Sequence, residues 1–154
     1  MRFELFQGDV KKLEPIVAEW YYESLELHKR YGFEIDKGRW WEQFDDMANN
    51  HHGFLIVGYN DSIPVGFMGV LLKNSYCGKE YIADEHYWYV SPKHRGISSV
   101  RFIPFLETVA KTAGCSHVML NANCMAGGRT ENIWKLYERQ GYLPYDKSYL
   151  KGIK

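Results

Sequence analysis

Three runs rich in β-branched and aromatic residues follow one another between Gly53 and Val90, with connections that leave little freedom in how they pair. Gly53 to Tyr59 and Pro64 to Leu72 flank Asn60 and Asp61, residues that accept the positive φ of a tight turn, so the two runs read as a hairpin. The third run, YIADEHYWYV from Tyr81 to Val90, comes after the polar stretch KNSYCGKE and stops at SPKHRG, where turn chemistry begins. Short connections of this kind join antiparallel neighbours, since a parallel neighbour needs a crossover of a dozen or more residues.

The helices lie on either side of that meander. Arg2 to Phe6 reads as a short strand, and Asp9 stands where an N-cap belongs, ahead of Leu13, Ile16, Val17, Trp20 and Tyr21 at helical spacing. A first helix is expected from about residue 9 to 24. The segment LELHKRYGFEIDKG breaks the period, and Arg39 to Ala48 resumes it with Trp40, Trp41, Phe44 and Met47. Beyond Val90, Val100, Ile103, Leu106, Val109, Ala110 and Ala113 share a helical face, Gly114 suits a C-cap, and His117 to Leu120 reads as a buried strand. A last helix is expected from about Thr130 to Gln140, ending at Gly141, with a terminal strand around Ser148 to Lys151. The order β, αα, βββ, α, β, α, ββ describes an α/β (α+β) fold: a mixed, mostly antiparallel sheet of six to seven strands flanked by about four helices.

The 154 residues, 45% of them hydrophobic, suffice for one self-supporting core, so residues 1–154 are expected to form a single domain. Lysine plus arginine balance aspartate plus glutamate at 19 each, which argues against a nucleic-acid or anionic-lipid partner. No apolar window approaches a membrane span, and MRFELFQGDV has acids where a signal peptide needs an apolar run, so a cytoplasmic location is expected. Cys77, Cys115 and Cys124 make an odd set without CxxC spacing, which fits a reducing compartment. The adjacent His51 and His52 point apart and have no second pair at ligand distance, so no metal is expected.

The stretch V90 S P K H R G I S S V100 sets an arginine and a glycine between a strand and a helix. Backbone amides in such a loop, with the partial positive charge of a helix start, can hold a phosphate. VSPKHRG is similar to the V-x-P-x-x-R-G run that leads into the coenzyme A loop of the GNAT superfamily of N-acetyltransferases, and LYERQGY, Leu136 to Tyr142, resembles that family's LYExxGF. The resemblance covers almost the whole chain. It implies acetyl-CoA as co-substrate, an amine as acceptor, and a coenzyme site at Tyr89, Val90, Arg95, Gly96, Ile97, Ser98, Ser99, Val100 and Arg101. Thr130 stands where the family often has an asparagine for pantetheine, with Asn132 nearby. Ser98 and Val100 fill the family's two small positions, so weaker or altered coenzyme binding is expected. Pro104 would break a helix already running from Ser98 unless that helix starts late or kinks.

Amide formation from a thioester needs a neutral amine, a polarised carbonyl and a proton for the departing thiolate. The resemblance implies Glu85 as the base and Tyr137 as the acid, with a backbone N–H near Tyr89 or Val90 polarising the carbonyl where two strands splay. Asp84 should face away from Glu85 across the strand unless a bulge exchanges them. His86, as a strand neighbour, is read as a bystander. Acceptor choice is expected from LELHKRYGFEIDKGRWW, where aromatics mix with Glu34 and Asp36 in a way that suits a cationic amine. The competing reading is a catalytically weak GNAT-like binding or structural module. The partners expected are coenzyme A and the amine, and a homodimer stays open.

Overall fold

The structure, a computed structural model, describes residues 1–76, 78–122 and 130–146. Among them the elements are β1 (Arg2–Phe6), a 3-10 turn (Val10–Leu13), α1 (Glu14–Arg30), α2 (Lys37–Asn49), β2 (Gly53–Asn60), β3 (Ile63–Asn74), β4 (Tyr81–Val90), a 3-10 turn (Pro92–His94), the single-turn α3 (Ile97–Val100), α4 (Phe102–Thr112), β5 (His117–Met119) and α5 (Thr130–Arg139). They fall into two compact units: Met1–Trp20 with Asp36–Asn121, and Tyr21–Ile35 with the described residues from Ala122 on.

The first unit is built on a five-stranded sheet in the order β1-β2-β3-β4-β5, antiparallel except for the parallel β4–β5 pair. Among the described residues this corrects the six to seven strands expected: residues 142–146 are not a strand, and the strand placed at Ser148 to Lys151 lies outside the described residues. The β2–β3 hairpin turns at Asp61, whose φ of 54° is the positive value its side chain tolerates. β1 forms the outer strand, with Arg2 and Glu4 paired at 2.9 Å on it.

Both faces of the sheet are covered. Leu13, Ile16, Val17, Phe44 and Met47, from the start of α1 and from α2, pack on Leu55, Val57, Phe67 and Tyr89; Phe102, Leu106 and Ala110 of α4 pack on Ile56, Met68, Val70 and Val90. The central strands therefore read as near-continuous apolar runs because alternate side chains enter two different cores. Gly58 and Gly66 are register partners in β2 and β3, and the Phe102 ring lies over both. A Cβ on Gly58 would come within 2.9 Å of that ring. This window in the sheet seats the start of α4 and fixes the loop before it.

Several element ends differ from expectation. The first helix begins at Glu14 after the 3-10 turn capped by Asp9, and it continues through LELHKR to Arg30. Leucine, glutamate, lysine and arginine sustain a helix without an apolar stripe, and the chain leaves it only near Gly32, with φ 70°. Asp36 caps α2 by accepting from the Arg39 N–H at 3.2 Å. Pro104 does not break a helix, because α4 starts late, at Phe102, and proline in a first turn forfeits no intrahelical bond.

In the second unit, α5 buries Tyr137 and exposes Asn132 and Trp134, whose indole N–H reaches the Ala122 carbonyl at 3.2 Å. Gly141, φ 88°, ends it.

Gly66→Ala should destabilise the fold by ~1–3 kcal/mol, the usual range for overpacking. Its Cβ would sit 2.8 Å from the Tyr89 carbonyl oxygen, a backbone atom that cannot rotate away. Thermal denaturation checks this, and an unchanged Tm would refute the close packing.

Candidate active site

The middle of β4 concentrates the ionisable chemistry of the first unit. Val70 faces Glu85 and Gly69 faces Tyr87, so His86 is the extra residue of a bulge. The bulge begins after the two acids and does not exchange them. Asp84 is the partner of Leu71 and Glu85 of Val70, residues that enter opposite cores, so the carboxylates leave the strand on opposite faces.

Their surroundings drive the two groups apart. Burial pushes the Glu85 carboxyl up to about 8; the Asn121 N–H, which donates to Oε2 at 2.9 Å, opposes the rise, and the Asp84 charge adds to it. Glu85 is only 3% exposed. Asp84 is also raised by burial, but hydrogen bonds with His86, Lys73 and Asn121 outweigh that and hold its carboxyl below the usual range. Lys73 Nζ lies 2.5 Å and His86 Nε2 3.3 Å from Asp84 Oδ2, while Asn121 Nδ2 donates to Oδ1 at 2.9 Å. Near neutral pH, Glu85 can therefore exchange a proton while Asp84 stays ionised.

The same asparagine marks where the sheet divides. β4 pairs with β5 only from Ile82 opposite His117 to Asp84 opposite Met119. At the next step Asn121 Nδ2 donates to the Glu85 carbonyl, so a side chain takes over from the ladder. From there to Val90 no strand among the described residues covers that edge of β4. Ser91 N–H donates to Val65 O at 2.9 Å on the β3 side, so by alternation the Val90 N–H and C=O point to the open edge. The resemblance implied a splay near Tyr89 and Val90; among the described residues the β4–β5 pairing ends at Asp84 and Met119.

The loop after β4 holds the other expected positions. Arg95 turns back on its own strand: Nε donates to Val90 O at 2.8 Å and Cζ lies 5.5 Å from the centre of the Tyr89 ring. Gly96 has φ 135° and ψ −156°, a region that L side chains rarely adopt. Ser99 Oγ accepts from the Gly96 N–H at 3.2 Å and donates to the Gly96 carbonyl at 2.6 Å, so Ser99 secures the turn. Ile97 and Ser98 are exposed at the start of α3, where first-turn amides have no carbonyl a turn earlier to bond. Val100 is half-buried and Arg101 is exposed. The donors present fit a phosphate-bearing ligand, although one amide is already taken by Ser99.

Tyr137, Thr130 and Asn132 belong to the second unit. Tyr137 is 7% exposed, its ring centre 6.2 Å from that of Tyr142. Thr130 opens α5, and Asn132 is exposed. Glu34 is exposed in the same unit, and Asp36 serves as a helix cap in the first. Sequence reasoning missed Asn121 and Lys73, which bind the acids through long-range contacts that leave no local signal. His86, read as a bystander to Glu85, lies two residues beyond Asp84 and meets that carboxylate at 3.3 Å. Among the described residues no group of three His, Cys, Asp or Glu side chains is arranged to hold a metal ion, and no helix is long and apolar enough to cross a membrane.

Solved structures share this architecture. A ribosomal-protein-alanine N-acetyltransferase from Brucella melitensis biovar Abortus aligns over 99% of this chain and 100% of its own, with TM-score 0.71 and 17% identity. An aminoglycoside acetyltransferase from an uncultured soil metagenomic sample aligns over 100% of both chains, with TM-score 0.72 and 13% identity. A protein from Bacillus halodurans described as a transcriptional regulator aligns over 99% of this chain and 100% of its own, with TM-score 0.74 and 16% identity. At such identities the likeness is one of fold. Comparison with curated protein sequences finds no match. Residues 15–142, most of the chain, match the model of the acetyltransferase (GNAT) family, and the chain belongs to that family.

Proposed function

We propose that the protein is an N-acetyltransferase that moves an acetyl group from acetyl-CoA to a primary amine of a small molecule or protein, working as a single cytoplasmic domain of residues 1–154. The observation that carries this reading is Glu85, a buried carboxyl that titrates near neutrality, at the point where β4 parts from β5. The family supports the acyl transfer, and the acceptors named for the two similar acetyltransferases, an alanine of a ribosomal protein and an aminoglycoside, support an amine.

Acetyl-CoA, when bound, supplies an acetyl group activated as a thioester. Alkyl ammonium groups lose their proton near pH ~10, so at neutral pH the acceptor must give up a proton before it can attack. The ionised fraction of Glu85, which grows as pH approaches 8, takes it, directly or through water, and the raised pKa lets the carboxyl hold that proton through the reaction. The Val90 N–H on the open edge of β4 polarises the acetyl carbonyl. Tyr137 gives its hydroxyl proton to the departing thiolate and is restored by the second proton that the amine nitrogen sheds as the amide forms. Arg95 to Arg101 receive the pyrophosphate over the first-turn amides, with Gly96 shaping the turn, and Thr130 and Asn132 serve the pantetheine.

Glu85→Gln should lower turnover by about 10² to 10⁴, the usual contribution of a positioned base, with KM for acetyl-CoA nearly unchanged. A thiol-release assay over a panel of primary amines measures both, and a variant as active as the parent would remove Glu85 from the mechanism. Stability gives an independent reading. With its pKa raised from 4.5 to about 8, folded Glu85 holds a proton that the unfolded chain releases, so its contribution is present below pH 4.5 and is lost as pH rises through 8. The Tm of Glu85→Gln should therefore gain on the parent between pH 5 and pH 8, and parallel curves would contradict the buried, neutral carboxyl.

Tyr137→Phe keeps the ring and its packing. It should cut turnover by about 10² or more while leaving Tm within a degree or two, since one hydroxyl is lost and no cavity is made. Equal turnover at saturating acetyl-CoA would refute the acid role, and a large fall in Tm would mark the hydroxyl as a structural hydrogen bond.

A further inference from the structure

The position of Arg95 has a use beyond attracting phosphate. We propose that its guanidinium is a latch on the open edge of β4, one that makes the site select complete coenzyme A over thioesters ending in pantetheine without a pyrophosphate. The inference rests on the acetyltransferase reading and assigns a specificity role within it.

Three features place the latch. Val90 lies on the stretch of β4 that β5 leaves uncovered, and its C=O and N–H point to that edge. The Arg95 Nε–H occupies the carbonyl at 2.8 Å. Its guanidinium carbon stands 5.5 Å from the centre of the Tyr89 ring, a buried side chain 6% exposed, so the cation is held over an aromatic face as well as by a hydrogen bond. An exposed arginine has many rotamers, and two simultaneous contacts to its own strand select one of them.

A bare strand edge is a template for any extended chain that carries amides. Pantetheine is such a chain, with two amides between its thiol and its phosphate end. To pair with Val90 it must take the carbonyl from a charged donor, and a neutral amide is the weaker competitor. Pantetheine alone offers the displaced guanidinium nothing in return. Coenzyme A does: its pyrophosphate oxygens accept paired, charge-assisted hydrogen bonds from a guanidinium fork. Gly96, the next residue, has a φ of 135° at the turn into α3, so a phosphate received there lies within one residue of the latch. The complete coenzyme moves Arg95 from the carbonyl to the phosphate and clears the edge for its own amides. A pantetheine thioester leaves the latch closed.

The test uses isothermal titration of the full chain and of Arg95→Met, a side chain of similar reach with neither charge nor donor, with coenzyme A and with pantetheine as separate probes. Loss of the latch should act in opposite directions. Coenzyme A affinity should fall about fivefold or more, and pantetheine affinity should rise roughly threefold to tenfold, the scale of one exposed charged hydrogen bond. Arg95 is exposed, so matching melting curves are expected for the two proteins. Pantetheine heats that are the same in both, absence in both included, would overturn the latch and leave Arg95 a plain phosphate ligand. No heat with coenzyme A in the parent protein would instead overturn the acetyltransferase reading on which the latch depends.

Discussion

The architecture of the site follows from one obligation: every buried backbone amide and carbonyl needs a partner. β4 meets it along the β3 edge from Tyr81 to Val90 apart from the bulge at His86, but along the other edge the ladder with β5 stops at Asp84. Asn121 resolves the conflict by using its side-chain amide where a strand would have continued, bonding the Glu85 carbonyl and the Asp84 carboxylate together. Its backbone N–H serves the Glu85 carboxyl. One residue thus ends the β4–β5 ladder and ties down both acids.

What surrounds that point is rigid for reasons of packing. β4 lies between two aromatic-rich cores: Phe44 stacks on Tyr87 and meets Phe67 edge-on to one side, and Phe102 meets Phe3 and Trp88 on the other. The Tyr87 hydroxyl donates to Gln43 of α2, and Ser91 donates to Glu19 of α1 at 3.0 Å, so helices from distant parts of the chain brace both ends of the segment. A carboxyl held at 3% exposure in such a frame is shielded from bulk water, and this raises its pKa.

The sequence made the elements legible wherever local chemistry bounds them. Asp9 caps the first helical turn, Asp61 turns the hairpin, and Tyr81 to Val90 is a strand to the residue, whereas Asp36, read as an acceptor residue, caps α2. Periodicity failed where a helix continued without an apolar stripe, as through LELHKR. Glu85 could be singled out through the resemblance, and strand parity added that Asp84 should face away from it. The bulge at His86, the bridge by Asn121 and the return of Arg95 to Val90 could not be, since each depends on partners that only the folded chain brings near. The glycine window under Phe102 is likewise a long-range fit, and Gly58 and Gly66 look like ordinary strand glycines until the helix is docked.

The outer strand has a consequence for the protein in solution. With 19 basic and 19 acidic residues and a pI near 7.0, the molecule has almost no net charge at neutral pH to keep its copies apart. β1 is five residues long, and an uncovered strand invites another chain to add to it. Arg2 and Glu4 put both signs of charge on that strand at 2.9 Å, and a strand arriving alongside would have to accommodate them. Near neutrality overall repulsion therefore contributes little, and buffers a unit or more from pH 7.0 should suit concentrated protein best.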